Sequence, residues 1–185
     1  MLNTLSLIGE KLNEAGIVWA VGGSVMLSHY GLAPDPNDID ILIDEDCAAQ
    51  AAALMEVIGK ERPPAKSRTF ATRHFHKYDV GGFPVDVMSG LAIRHDSGLF
   101  CYVFDKASVT GCMTVRGVKV PLASLEDWYV LYQLMPGRAA KVSLIESHLR
   151  SAGIRRPELL NRMLTQNLPQ GVKENIKRLL EEPRP

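Results

Sequence analysis

The run Asp38-Ile39-Asp40-Ile41-Leu42-Ile43 constrains this chain most. Side chains two apart on a strand share a face, so Asp38 and Asp40 project together while Ile39 and Ile41 turn into a core. Two carboxylates held so close repel, and each favours protonation unless a cation compensates. A divalent ion removes that conflict, and Mg²⁺ takes hard oxygen ligands while keeping waters and substrate phosphates in its shell. On its own the pattern also fits a solvated strand end.

Two neighbours give the run a context. Upstream, the short β-branched and aromatic run Ile17–Val21 enters Gly22-Gly23-Ser24, which opens a short helix closed by Gly31. Glycines there let backbone N–H groups approach an anion, the helix N-terminus adds partial positive charge, and Ser24 offers a hydroxyl. A plain tight turn reads equally well, and no Lys-Ser or Lys-Thr follows as a Walker loop requires. Downstream, Gly81-Gly82 suits a hairpin turn, and Asp86 sits between Val85 and Val87 on the returning strand.

The remaining pattern is mixed. Leu2, Leu5, Ile8 and Leu12 predict a first helix ending near Glu14, and an alanine-rich helix is expected over 48–58, capped by Asp44 or Asp46. Residues 61–66 read as a loop, 68–78 as extended, and 99–104 and 113–120 as strands. From Ser124 the texture is helical: a capping-box pattern Ser124-Leu125-Glu126-Asp127, a stripe of Trp128, Leu131, Tyr132 and Met135, then helices over 140–151, 157–167 and 171–182. The expected fold class is α+β, a mixed sheet flanked by helices (1–123) followed by a C-terminal helical region (124–185).

Twenty-one basic and twenty-one acidic residues cancel, so no global field draws the chain to nucleic acid or membranes. Cys47, Cys101 and Cys112 form no CxxC pair; Cys101 and Cys112 could face each other across a hairpin, but buried free thiols are expected. No run approaches the ~18 apolar residues of a membrane span, and the N-terminus is amphipathic rather than a signal peptide. The expected location is cytoplasmic.

Taken together, Gly22-Gly23-Ser24, then Asp38-x-Asp40 after thirteen intervening residues, then Asp86 on a later strand resemble the nucleotidyltransferase superfamily, the polymerase-beta-like fold, in a small bacterial-type form. The resemblance covers roughly residues 1–125. It implies a magnesium-dependent, nucleotide- and ATP-binding transferase that moves a nucleoside monophosphate from an NTP to an acceptor and releases pyrophosphate. It implies Mg²⁺ (or Mn²⁺) on Asp38, Asp40 and Asp86 as catalytic and metal residues in a two-metal scheme. Asp38 and Asp40 would bridge the ions, and Asp86 would serve the acceptor side. Gly22, Gly23 and Ser24 would hold the triphosphate, with a cation from Lys66, Arg68, Arg73, Arg138 or Lys141; Arg68 and Lys141 are the first choices. The acceptor, whether small molecule, protein or tRNA, is not legible.

Many relatives carry a Lys-Asp pair on the later helix, whereas Gly137-Arg138-Ala139-Ala140-Lys141-Val142 lacks the acid. A non-catalytic nucleotide-binding or regulatory module, of toxin-antitoxin type, is the alternative. His74 and His76 share a strand face and lack a third metal ligand; they read as a substrate contact or as exposed polar positions. His29, Trp19 and Trp128 read as packing, and Tyr129 and Tyr132 as core and rim.

Overall fold

The computed structural model describes residues 1–33, 36–63 and 67–181. Helix α1 (Leu2–Glu14) buries Leu5, Ile8 and Leu12, leaves Leu2 exposed, and stops before Gly16 at φ 67°. Strand β1 (Trp19–Val21) leads into α2 (Gly23–His29), then β2 (Ile39–Ile43) and α3 (Ala48–Ile58). Asp44 does not cap α3: it accepts from Asp46 N–H and caps a one-turn 3₁₀ helix, Glu45–Cys47, ahead of it.

The expected loop at 61–66 begins instead as strand β3 (Lys60–Arg62), antiparallel to β4 (His74–Val80). Its three residues are all exposed, so no alternation marked it as a strand. Gly81 and Gly82, at φ 61° and 81°, turn β4 into β5 (Phe83–Ser89), a two-residue turn whose handedness only positive-φ residues meet without strain. Strands β6 (Ala92–His95) and β7 (Gly98–Cys101) form a separate hairpin. The strand expected to reach Phe104 therefore ends at Cys101, and four-residue strands are too short to give a clear alternation. Strands β8 (Val109–Val115) and β9 (Val118–Ala123) complete a seven-stranded sheet of order β3-β4-β5-β2-β1-β9-β8, in which β2/β5 and β1/β9 run parallel. This is the α+β class expected.

Helix α1 lies on this sheet at Gly9, against Trp19, Val118 and Val120. On the C-terminal side α4 (Leu125–Gln133) is buried from Leu125 to Tyr132 and packs against α5 (Ala139–Ala152), α6 (Pro157–Leu164) and α7 (Gln170–Glu181). Only half the capping box forms: Ser124 Oγ accepts from Asp127 N–H, while Asp127 binds the Tyr102 hydroxyl at 2.6 Å. Glu126, also buried, accepts from the N–H groups of Arg155 and Arg156 and ties the α5–α6 link to α4. One apolar cluster runs from Leu5 to Leu179 through both regions.

Two expectations are corrected. Cys101 and Cys112 are exposed rather than buried and sit in different sheets, on β7 and β8, so they do not face across a hairpin. His29 is exposed, its ring edge-on to Tyr30, because the short α2 ends there. Among the described residues no helix is long and apolar enough to cross a membrane.

Candidate active site

The site is assembled at the β1–α2 turn. Gly22 N–H donates to the Asp40 carbonyl at 2.9 Å, extending the β1–β2 ladder by one residue. A Cβ on Gly22 would lie 2.2 Å from the Trp128 ring, and one on Gly23, at φ 56°, would lie 1.8 Å from Asp40 Oδ2. Both glycines are thus demanded by neighbouring side chains, and the Gly22 N–H is committed to the backbone rather than open to an anion. Ser24 faces the cleft, its hydroxyl 3.4 Å from Asp38 Oδ1.

Strand pairing brings the carboxylates together. Asp40 is directly opposite Asp86 across the parallel β2–β5 pair, and Asp86 is opposite Lys77 across β4–β5. Ile39 and Ile41, on the other face, are fully buried. Asp38, Asp40 and Asp86 all open into one cavity of 430 Å³, with Phe70, Phe75 and Met88 on one side and Trp128, Tyr132, Met135, Arg138 and Lys141 on the other. Burial, followed by the charges of Asp38 and Asp86, pushes the Asp40 carboxyl up to about 7, and Lys141 and Arg138 oppose that rise. No hydrogen bond reaches this carboxylate among the described residues, and with Asp38 and Asp86 in the same cleft the site is one in which Asp38 and Asp40 could hold a hard divalent cation.

The three carboxylates are not equivalent. Lys77 Nζ donates to Asp86 Oδ2, and among the described residues no three His, Cys, Asp or Glu side chains form a group that could hold a metal ion. Lys77 was not singled out from sequence. The signal was present, since counting outward from the two-residue Gly81-Gly82 turn makes Lys77 and Asp86 the fourth cross-strand pair.

Of the expected cations, Lys141 lines the cavity, its ammonium 5.1 Å from the Tyr132 ring centroid and 3.4 Å from its hydroxyl. Burial, then Arg138, lowers its pKa. Arg138 lines the cavity too, whereas Arg68 is exposed and outside the lining. Arg73 pairs with Glu45 beside a different cavity, and Lys66 lies outside the described residues. His76 pairs with Glu61 at 2.9 Å, and His74 is exposed. Trp128 is core as expected, 2% exposed, yet it also roofs Gly22 and lines the cleft. Tyr129 is fully buried, and Tyr132 adds a ring to the cavity wall.

A second, wider groove of 790 Å³ adjoins the cleft and shares Tyr132, Met135 and Arg138 with it; the β6–β7 turn and the start of α7 form its far side.

The fold recurs in solved structures. A Thermotoga maritima protein classed as a nucleotidyltransferase superposes with a TM-score of 0.58 at 24% identity, over 80% of this chain and 91% of that one. The chain has the nucleotidyltransferase fold. The antibiotic-resistance factor ANT(2″)-Ia gives a TM-score of 0.56 at 13% identity, over 96% of this nucleotidyltransferase-fold chain and 91% of its own. The lincosamide antibiotic adenylyltransferase LnuA, solved with lincomycin, gives 0.51 at 14% identity, over 78% and 96%. No family model matches the sequence, and no curated protein is significantly similar to it.

Proposed function

We propose that this protein is a metal-dependent nucleotidyltransferase that moves a nucleoside monophosphate from an NTP to an acceptor hydroxyl and releases pyrophosphate. The observation that carries this reading is the single cleft in which Asp38, Asp40 and Asp86 face Arg138 and Lys141. Burial, followed by the charges of Asp38 and Asp86, pushes Asp40 up to about 7, a conflict that a cation would relieve, and the basic wall suits a polyphosphate. Asp38 and Asp40 would hold Mg²⁺ (or Mn²⁺), which when bound neutralises charge on the reacting phosphate. Lys141 and Arg138 would bind the triphosphate, with Ser24 at its edge. Asp86, on the adjoining strand, would accept the acceptor's proton. The base would lie among the aromatic residues that line the cleft, and the adjoining groove would be the approach for the acceptor. Catalysis would rest on positioning and charge neutralisation.

The solved relatives include enzymes acting on antibiotics, which supports a small-molecule acceptor without choosing one. Incubating the protein with α-labelled NTPs, Mg²⁺ and hydroxyl-bearing acceptors, beside the Asp38→Ala/Asp40→Ala variant, tests the reading. Label should transfer in the wild type alone.

A second reading, a nucleotide-binding module without turnover, draws on the 137–142 stretch, which has no carboxylate. Nucleotide binding by calorimetry with no pyrophosphate release would favour it.

A further inference from the structure

Asp86 already has a cation. Its Oδ2 accepts from Lys77 Nζ, whereas no hydrogen bond reaches the Asp40 carboxylate among the described residues. The contact is set by backbone register: Lys77 and Asp86 are directly opposed across β4 and β5, and Asp86 is in turn opposed to Asp40 across β5 and β2. The three side chains therefore form a row on one sheet face, two carboxylates followed by an ammonium. The ion pair is largely withdrawn from water, with Lys77 28% and Asp86 18% exposed, which distinguishes it from a loose surface pair. Phe75, which lines the cleft, holds the ammonium from its ring face at 4.9 Å.

A divalent ion seated at Asp86 would meet this ammonium on the same carboxylate. An ion on the remaining oxygen, Oδ1, would sit on the same carboxylate as the ammonium on Oδ2, and the repulsion between the two cations opposes that occupancy. From this geometry we infer that Lys77 is the built-in cation of the Asp86 side of the cleft, so that the chain binds one divalent ion, on Asp38 and Asp40, and not two. The inference rests on the reading above that Asp38 and Asp40 hold a divalent ion. It makes Lys77 a positioning residue, which fixes the orientation and charge balance of Asp86.

Counting Mn²⁺ on the full chain tests it, using the electron paramagnetic resonance signal of free Mn²⁺ together with calorimetry. The wild type should bind one ion per chain. Lys77→Met should bind two, the second disappearing when Asp86→Ala is added, and Lys77→Arg should return to one. Asp38→Ala/Asp40→Ala should lose the wild-type ion. Two ions on the wild type, or a single ion on a folded Lys77→Met, overturn the inference while leaving the metal site intact. No ion on the wild type, or an unchanged ion on Asp38→Ala/Asp40→Ala, removes the underlying metal site and the inference with it. Should Lys77→Met not fold, the wild-type count still decides, and Lys77→Gln serves as the second variant.

Discussion

Gly23 and Asp40 fit so closely that a Cβ on the glycine would lie 1.8 Å from Oδ2 of the carboxylate. The turn that opens α2 is therefore shaped around the acidic site. Gly23→Ala combines that clash with a positive φ of 56°, and Asp40 must be displaced to admit it. We expect a loss of about 1–3 kcal/mol in stability and at least a ~10-fold loss of Mn²⁺ affinity. Gly16→Ala, at φ 67° with no atom within 4 Å, should lose about 1–2 kcal/mol and no metal affinity. Urea denaturation and calorimetry on both variants check this.

Asp40 makes the metal-free protein sensitive to pH. Its carboxyl is pushed up to about 7 from a reference of 3.8, first by burial and then by Asp38 and Asp86. The folded chain then holds a proton between those values that the unfolded chain releases, so stability contributed by protonated Asp40 is lost as pH rises through 7. Asp40→Asn should be more stable than wild type at pH 8 by about 1–3 kcal/mol, or a few degrees in Tm, with the gap closing toward pH 4. Adding Mg²⁺ at pH 8 should raise the Tm of wild type and not of the variant. Thermal melts across pH check both.

The two cavity cations should matter where the exposed arginine does not. Lys141→Ala and Arg138→Ala remove charges from the cleft wall, and each should weaken NTP binding about 10-fold, the scale of one charge-assisted hydrogen bond. Arg68 is exposed and outside the lining, so Arg68→Ala should stay within about twofold. Calorimetric titration with Mg²⁺–NTP separates the three.

Tyr102 and Asp127, the latter on α4, are 4% and 0% exposed and joined at 2.6 Å, and among the described residues the second Asp127 oxygen has no hydrogen-bond partner. Tyr102→Phe leaves that buried carboxylate with Arg162 at 4.0 Å, and should cost about 1–3 kcal/mol in urea denaturation. Nucleotide affinity should change by less than about threefold, because neither residue lines the cleft.

The legible parts of this molecule are those where local chemistry and tertiary demand agree. Ile39-Asp40-Ile41 reads as a strand with two faces, and it is one, because Ile39 and Ile41 bury while Asp40 turns to the cleft; Asp38, expected on the same strand, lies on the bend just before it. Gly81-Gly82 reads as a hairpin turn for the same reason. What stayed hidden depends on pairing between distant strands. Lys77 matters through register, and β3 is an exposed edge paired with β4, with no apolar face to betray it. The glycine pair reads as a turn from sequence, but what demands glycine at its first position is Trp128, over a hundred residues away, which fills the space beside Gly22. Arg68 is on an exposed bend, a placement its charge alone does not reveal.

The most direct test of the central claim is transfer of α-labelled nucleotide in the presence of Mg²⁺, followed together with pyrophosphate release, in wild type and Asp38→Ala/Asp40→Ala. The account predicts acceptor labelling with pyrophosphate in equal amount for at least one of the four NTPs, and a loss of more than about 10³-fold in the variant. Equal behaviour of wild type and variant with all four nucleotides would contradict it.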